Sequence, residues 1–399
     1  MDTAMFEKCL KEATAEGGIL PGLAVIVADD QGNIRYSNSC GNSPTGPVTV
    51  DSTMWFASCT KLMGTIAALQ CVEKGLIALD DSVGDILPEL ANPDILEGFD
   101  ENNDNNPILR KAKNKITLRQ LLTHSSGHAY PTTNPLLAKY IGTKVGSIDR
   151  VTVTTDVSKY ALPLAYEPGE GFTYGYGIDW AGKAVERLTG ISPLGDYMKE
   201  NIWKPLGMEH TTFRLPENQA VREKMIGTVT RDSNGRLIPC PCPWTQATPI
   251  DDCAGAGTFS SPSDFIKILI SLLKNDGKLL KSETVDEMFK PNLPDNKYLM
   301  SLFDIPQARF GFTVGSDAGK QWNWGLGGLL AMEDIPGHWS EGTLAWGGLP
   351  NLKWWIDRKR GTCAISAMQL VPQGDREAIL FHKEKVQKMV WDTIARHGD

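Results

Sequence analysis

Hydrophobic and polar residues alternate along this chain with two different periods. The first stretch, about 3–16, has the spacing of an amphipathic helix. It leads into "GLAVIVADD", an apolar β-rich run, and "QGN" turns the chain back into "IRYSN", so a hairpin is predicted. "TKLMGTIAALQCVEKG" then carries apolar residues at helical spacing and ends at Gly75. From about 80 to 214 helical segments ("ITLRQLLTHSS", "GIDWAGKAVERLTG", "PLGDYMKENIWKPLG") alternate with long Pro/Gly loops. A further amphipathic helix, "PSDFIKILISLLKNDG", precedes four strand-like runs: "GLGGLLAMED", "EGTLAWGG", "LKWWID" and "GTCAISAMQL". The turns "PGHWSEG" and "DRKRG" separate these runs and predict an antiparallel meander. A last helix is expected over about 375–396. Strands near both ends with a helical middle give an α+β fold: one antiparallel sheet flanked by helices, with an inserted lobe. The expected division is a discontinuous catalytic domain, 1–85 and 215–399, and a mainly helical lobe, 86–214. No internal repeat interrupts this plan.

Composition narrows the function classes. The 399 residues are 41% hydrophobic and 22% charged, with a formal net charge of −8, which describes an ordinary globular protein and argues against a nucleic-acid partner. The densest basic cluster, "LRKAKNK" (Leu109 to Lys115), adjoins the acidic "FDENNDNNP" and reads as a solvated loop. No apolar run reaches the ~18–20 residues needed to span a bilayer. The N-terminus lacks the pattern of a signal peptide, and no Asn-x-Ser/Thr sequon occurs, so a cytoplasmic location is expected. The eight cysteines are scattered, as in a reduced protein, and only Cys240 and Cys242 stand close together. Neither they nor the six histidines form a metal motif; no metal or cofactor is expected.

The chemistry centres on "WFASCTKLMG". Ser58 and Lys61 stand three apart, within reach on one helical face. The spacing alone is weak, because Ser271 and Lys274 repeat it inside an ordinary amphipathic helix. Ser58 differs in opening its helix. There the dipole favours a developing alkoxide, and a backbone N–H is free to meet an oxyanion. A buried lysine nearby can act as base. A helix N-cap is the competing reading of Ser58.

Further segments carry a resemblance. "FASCTK", "ITLRQLLTHSSG" (Ile116 to Gly127), "YEPGEGFTYGYGIDWAGKAVERLTG" (Tyr166 to Gly190), "KPLGMEHTTF" (Lys204 to Phe213), "AGAGTFSSPSDF" (Ala254 to Phe265) and "LAWGG" (Leu344 to Gly348) occur in order. Together they resemble the serine β-lactamase and penicillin-binding-protein superfamily, in its class C and esterase branch. "ALQCVEKGLIALDDSV", "ILEGFD" and "GGLPNLKWWID" are similar to the fungal polyketide acyltransferases of the lovastatin type. The resemblance implies a β-lactamase/transpeptidase-like fold. It implies Ser58 as acylated nucleophile, Lys61 as base or relay, and Tyr174 as catalytic tyrosine coupled to Lys61. It also implies an oxyanion hole from the backbone of Ser58 and Leu349, and substrate contacts from Tyr176, Trp346, Gly347 and Gly348. Two positions depart from the pattern: Gly175-Tyr176 replaces x-Asn after Tyr174, and Trp346 replaces the lysine or histidine of the Lys-Thr-Gly strand. Both disfavour β-lactam hydrolysis and suit a neutral ester or thioester.

The implied activity is acyl transfer from a thioester or ester donor to an alcohol of a small secondary metabolite. A polyketide synthase carrier domain is an implied donor partner. Plain ester hydrolysis and a non-catalytic scaffold of the same fold are the alternatives. No G-x-S-x-G elbow is present. His124 is a weaker base candidate with an implied structural role. Trp55, Tyr130, Tyr176, Trp244, Trp322, Trp324 and Trp346, in motif segments or loop-like stretches, suggest an aromatic pocket as a group, although core filling would account for any one of them.

Overall fold

The computed structural model describes residues 1–100, 106–144, 146–147, 154–244, 247–316 and 319–394. A seven-stranded sheet is built from both ends of the chain. Its strands are β1 (Leu23–Asp29), β2 (Ile34–Cys40), β3 (Trp322–Trp324), β4 (Leu329–Ala331), β5 (Leu344–Gly348), β6 (Leu352–Asp357) and β7 (Thr362–Ala367). They lie in the order β3-β4-β5-β6-β7-β1-β2, all antiparallel. β3 was not expected: Trp322 and Trp324 lie on a strand, not in a loop. Its three residues are too few to show a period in the sequence, and the glycines that follow resemble a turn.

Alternation along the strands sends side chains to two cores. Ala24, Ile26 and Ala28 join one cluster, whereas Leu23, Val25 and Val27 join the other. Both faces of the inner strands are covered, which is why β1 and β7 are buried along nearly their whole length, whereas the edge strand β2 is largely exposed. One face packs on α1 (Thr3–Ala13) and on the C-terminal helix, which runs from Arg376 to Thr393 with a π-helical segment at His382–Gln387. Residues 395–396 of the expected last helix lie outside the described residues. The other face packs on α2 (Thr60–Glu73) and α3 (Pro262–Lys274). α2 is buried on every side from Thr60 to Cys71. Such a helix is central to a core, and any charge on it is held away from water.

The segment between about 86 and 214 contains the expected helices, among them Leu118–Leu122 and Gly177–Thr189. It also contains a β-hairpin, Asp94–Asp100 paired with Asn106–Lys111. The basic cluster is therefore not simply a loop, since Leu109 to Lys111 belong to a strand. Residues 101–105 of the acidic run lie outside the described residues. Lys111 pairs with Asp94, and Arg110 with Glu97 and Glu167, so these cations are held by local carboxylates. Among the described residues no helix is long and apolar enough to cross a membrane.

Candidate active site

Ser58 does not stand in the first α-helical turn itself. It occupies a short 3-10 turn, Ala57–Cys59, immediately before α2. Ala57 adopts φ 46, the left-handed region that non-glycine residues avoid. Such strain costs on the order of 1 kcal/mol or more and persists only where the surroundings enforce it. Here Phe56 N–H donates to the Thr258 carbonyl (3.0 Å), and Cys59 N–H to that of Phe56 (3.0 Å). β5 presses on the same turn. A Cβ on Gly348 would stand 2.5 Å from the Phe56 carbonyl oxygen, so only glycine allows this approach.

Lys61 lies one turn further along α2 and is 1% exposed. Its Nζ meets three oxygens: the Gly255 carbonyl at 2.6 Å, the Tyr130 hydroxyl at 3.0 Å and Ser58 Oγ at 3.4 Å. Gly255 and Tyr130 hold the amino group beside the serine. The Gly255 segment is stitched to α2 by Thr60 Oγ1 and Thr258 Oγ1 (2.6 Å). Gly255 N–H donates to Asp179 Oδ1 at 2.8 Å. Asp179 is wholly buried; burial pushes its carboxyl up to about 6, against the attraction of Lys61.

Tyr174 approaches Lys61 with its ring, whose centroid is 4.7 Å from Nζ. Its hydroxyl oxygen accepts a hydrogen bond from the Trp346 indole at 2.9 Å. The indole thus takes a position where the resemblance leads one to expect a cation. The hydroxyl against Lys61 is that of Tyr130, whose pKa is raised well above the usual phenol value by burial and by Asp179; it keeps its proton. Tyr176 is buried between Tyr160, on which it stacks at 4.0 Å, and Tyr130, which it meets edge-on at 4.5 Å. His124 packs 4.5 Å from the Tyr174 ring. Burial and Lys61 hold its imidazole well below its ordinary pKa, and Gly175 N–H is directed to its Nδ1 at 3.4 Å, as suits a neutral structural residue.

A cavity of about 710 Å³ opens over this cluster. Ala57, Tyr130, Tyr174, Trp346, Gly347, Gly348 and Leu349 form its inner wall, and Trp55 and Trp244, stacked at 5.9 Å, another. Helices α4 (Lys297–Phe303) and α5 (Pro306–Phe312) contribute Leu302 and Phe312, and the link between them contributes Ile305. Trp322 and Trp324, expected with these aromatics, are each 1% exposed and do not line it. Among the described residues no three His, Cys, Asp or Glu side chains gather as a metal site would require. Sequence reasoning took Tyr130 only as pocket lining and missed Gly255 and Asp179. Asp179 reads locally as an acid in the first turn of a helix, and a backbone carbonyl leaves no sequence signal.

Comparison with known proteins follows the same lines. The Beta-lactamase family model matches residues 6–386. Monacolin J acid methylbutanoyltransferase of Aspergillus terreus is 37% identical over 94% of this chain and 91% of its own length. Lovastatin esterase of Penicillium rubens is 36% identical over 90% and 91%. Unliganded simvastatin synthase from Aspergillus terreus superposes with a TM-score of 0.88 at 33% identity, covering 99% of each chain.

Proposed function

The chain belongs to the Beta-lactamase family, as an enzyme among acyltransferase and esterase relatives, and from that premise we propose how it carries out serine acyl transfer in secondary metabolism. Ser58 Oγ attacks the carbonyl carbon of a thioester or ester donor while Lys61 takes its proton. The Oγ–C bond forms, the C–S or C–O bond breaks, and the leaving group departs with a proton relayed through Tyr174. Backbone N–H groups of Ser58 and Leu349 receive the oxyanion. In the second half an acceptor hydroxyl attacks the acyl-enzyme, Tyr174 and Lys61 take its proton, and Ser58 is restored. The observation that carries this reading is the placement of the buried Lys61 Nζ, held by the Gly255 carbonyl and the Tyr130 hydroxyl 3.4 Å from Ser58 Oγ.

The aromatic walls and the cavity volume suit an apolar small-molecule acceptor. An acyl thioester presented by a polyketide synthase carrier domain is the donor partner we favour. Eight free cysteines agree with a cytoplasmic setting. All seven strands of the sheet come from the flanking segments, which supports a catalytic domain of 1–85 and 215–399 around a lobe of 86–214.

Intact-protein mass spectrometry after brief exposure to a short-chain acyl thioester tests the mechanism. One acyl mass on wild type and none on Ser58→Ala is expected; an adduct that persists in Ser58→Ala would sink it. The esterase relative favours hydrolysis as a second reading. Added alcohols that accept the acyl group would decide for transfer, and water as sole acceptor for hydrolysis.

A further inference from the structure

One carboxylate in the cavity takes no part in the steps above. Asp179 stands in the first turn of the helix Gly177–Thr189 and is 4% exposed. It is the one acidic side chain on the cavity wall among the described residues. Gly255 stands between it and Lys61: the Gly255 N–H donates to Asp179 Oδ1 at 2.8 Å, and the Gly255 carbonyl accepts from Lys61 Nζ at 2.6 Å. A Cβ on Gly255 would lie 2.3 Å from Asp179 Oδ2, so the carboxylate closes on this backbone only because the residue is glycine. The next residue is tied down as well, since Trp55 Nε1 donates to the Ala256 carbonyl at 2.8 Å. Around the pair, burial keeps the phenols of Tyr130, Tyr160 and Tyr176 and the thiols of Cys59 and Cys253 protonated. Burial likewise keeps His124 unprotonated. Tyr174 offers Lys61 its ring, and its hydroxyl accepts from Trp346. Lys353, the other cation that acts on Cys59, is engaged by the Gly311 carbonyl at 3.0 Å. Asp179 and Lys61 are thus left as opposite charges that act on each other. A carboxylate kept in a cleft against its own desolvation, with one specific charged partner, points to function more than to stability.

We propose that Asp179 is a positioning residue for acyl transfer: through Gly255 it sets Lys61 beside Ser58, and its negative charge steadies the ammonium that Lys61 becomes on taking the serine proton. The proposal rests on the acyl-transfer reading and deepens it. When Ser58 Oγ bonds to the donor carbonyl carbon, its proton passes to Lys61 Nζ, and a positive charge appears on a buried amine. A fixed carboxylate nearby favours that charged state over the neutral amine, so its effect is greatest once the proton has moved. The carboxylate is already in place, and little reorganisation is needed at the moment of reaction. The hold on the Gly255 N–H contributes separately, by keeping the carbonyl that aims Lys61 at Ser58 Oγ where it is. Asparagine at 179 would keep that hold and lose the charge; alanine would lose both.

The test reads Lys61 first and the reaction second. NMR of protein carrying lysine labelled with carbon-13 at Cε follows the Lys61 titration, with the signal assigned by its loss in Lys61→Met. In Asp179→Asn the Lys61 midpoint should fall by about one pH unit, as expected when a nearby negative charge is removed. An unmoved midpoint overturns the proposal. Stopped-flow release of p-nitrophenol from p-nitrophenyl butyrate then reads acylation across pH. In Asp179→Asn the acid limb of the profile should move down with the Lys61 midpoint, and the plateau rate should fall about tenfold. Asp179→Ala should lose about tenfold more, with the limb where Asp179→Asn puts it. Equal losses in the two variants with the limb unmoved would make Asp179 only a brace for the backbone at Gly255, and that result also overturns the proposal. Melting temperatures keep loss of fold apart from loss of charge; if Asp179→Ala fails to fold, the midpoint in Asp179→Asn still decides. The lysine titration does not depend on acylation, so a failure of the acyl-transfer reading is seen separately, as absence of the Ser58 adduct on wild type.

Discussion

The chain contains two Ser-x-x-Lys sequences in helices, and they differ in everything except spacing. Ser271 lies inside α3, where its hydroxyl donates to Asp276 at 2.7 Å. Lys274 is exposed and reaches the Gln31 carbonyl at 3.0 Å. Ser58 precedes its helix on a strained turn, and Lys61 is buried against a carbonyl, a phenol and the serine itself. Spacing gives two side chains the reach to meet; it does not make either of them reactive. The reactivity proposed for Ser58 comes from a turn held by Gly348 and Thr258, and from a buried lysine that Gly255 and Tyr130 fix beside the serine.

The largest effects should fall on the first pair. Ser58→Ala should lower acyl transfer by on the order of 10^4-fold or more and leave no acyl-enzyme by mass spectrometry. Lys61→Met should cost about a thousandfold in the rate of acylation, measured by rapid quench, with donor KM little changed. The two tyrosines come next. Tyr174→Phe removes the oxygen that Trp346 holds and should lower kcat by about a hundredfold. Tyr130→Phe removes one partner of Lys61 and should cost only about tenfold, since two oxygens remain. If Tyr130→Phe proves the worse of the two in steady-state kinetics, the roles assigned to the tyrosines must be exchanged.

The same contrast shows what was legible in the sequence. The meander, the β1–β2 hairpin and helix α2 follow from local period and turn chemistry, and each forms where that pattern lies. Ser58 and Lys61 could be singled out from Ser271 and Lys274 because they open a helix and because further segments in order along the chain carry the resemblance. Tyr130 and Asp179 could not, because they meet Lys61 and Gly255 across 69 and 76 residues, respectively. The 94–111 hairpin was missed because its charged outer positions look like solvated loop until their partners are known.

Asp179 tests whether the first site is maintained at a cost to stability. Its carboxyl is raised to about 6 from 3.8, so the folded chain holds this proton more tightly than the unfolded chain does. The group therefore opposes folding at pH above about 6, and the penalty fades as pH falls from there toward 3.8. Asp179→Asn keeps an acceptor for Gly255 N–H and removes the buried charge. It should be more stable than wild type at pH 7.5 by about 1–3 kcal/mol, with the difference closing near pH 4 in denaturant titrations. Asp252 is also raised to about 6 and contributes the same slope to both proteins, so it cancels. A difference that does not vary with pH would show that packing, not charge, sets the cost.

The smallest effects belong to the second pair, and they make the comparison strict. Ser271→Ala removes the bond to Asp276, whose Oδ1 still accepts from Lys278 N–H at 3.1 Å. Stability should fall by about 1 kcal/mol, the typical net value of one such bond. Lys274→Met gives up an exposed contact with Gln31 and should change stability by no more than ~0.5 kcal/mol. Acyl transfer by both variants should stay within about twofold of wild type, because neither side chain touches the cavity or the segments that hold Ser58. A loss of acylation in Ser271→Ala comparable to that in Ser58→Ala would mean that the strained turn and the buried lysine are not what separates a nucleophile from its decoy.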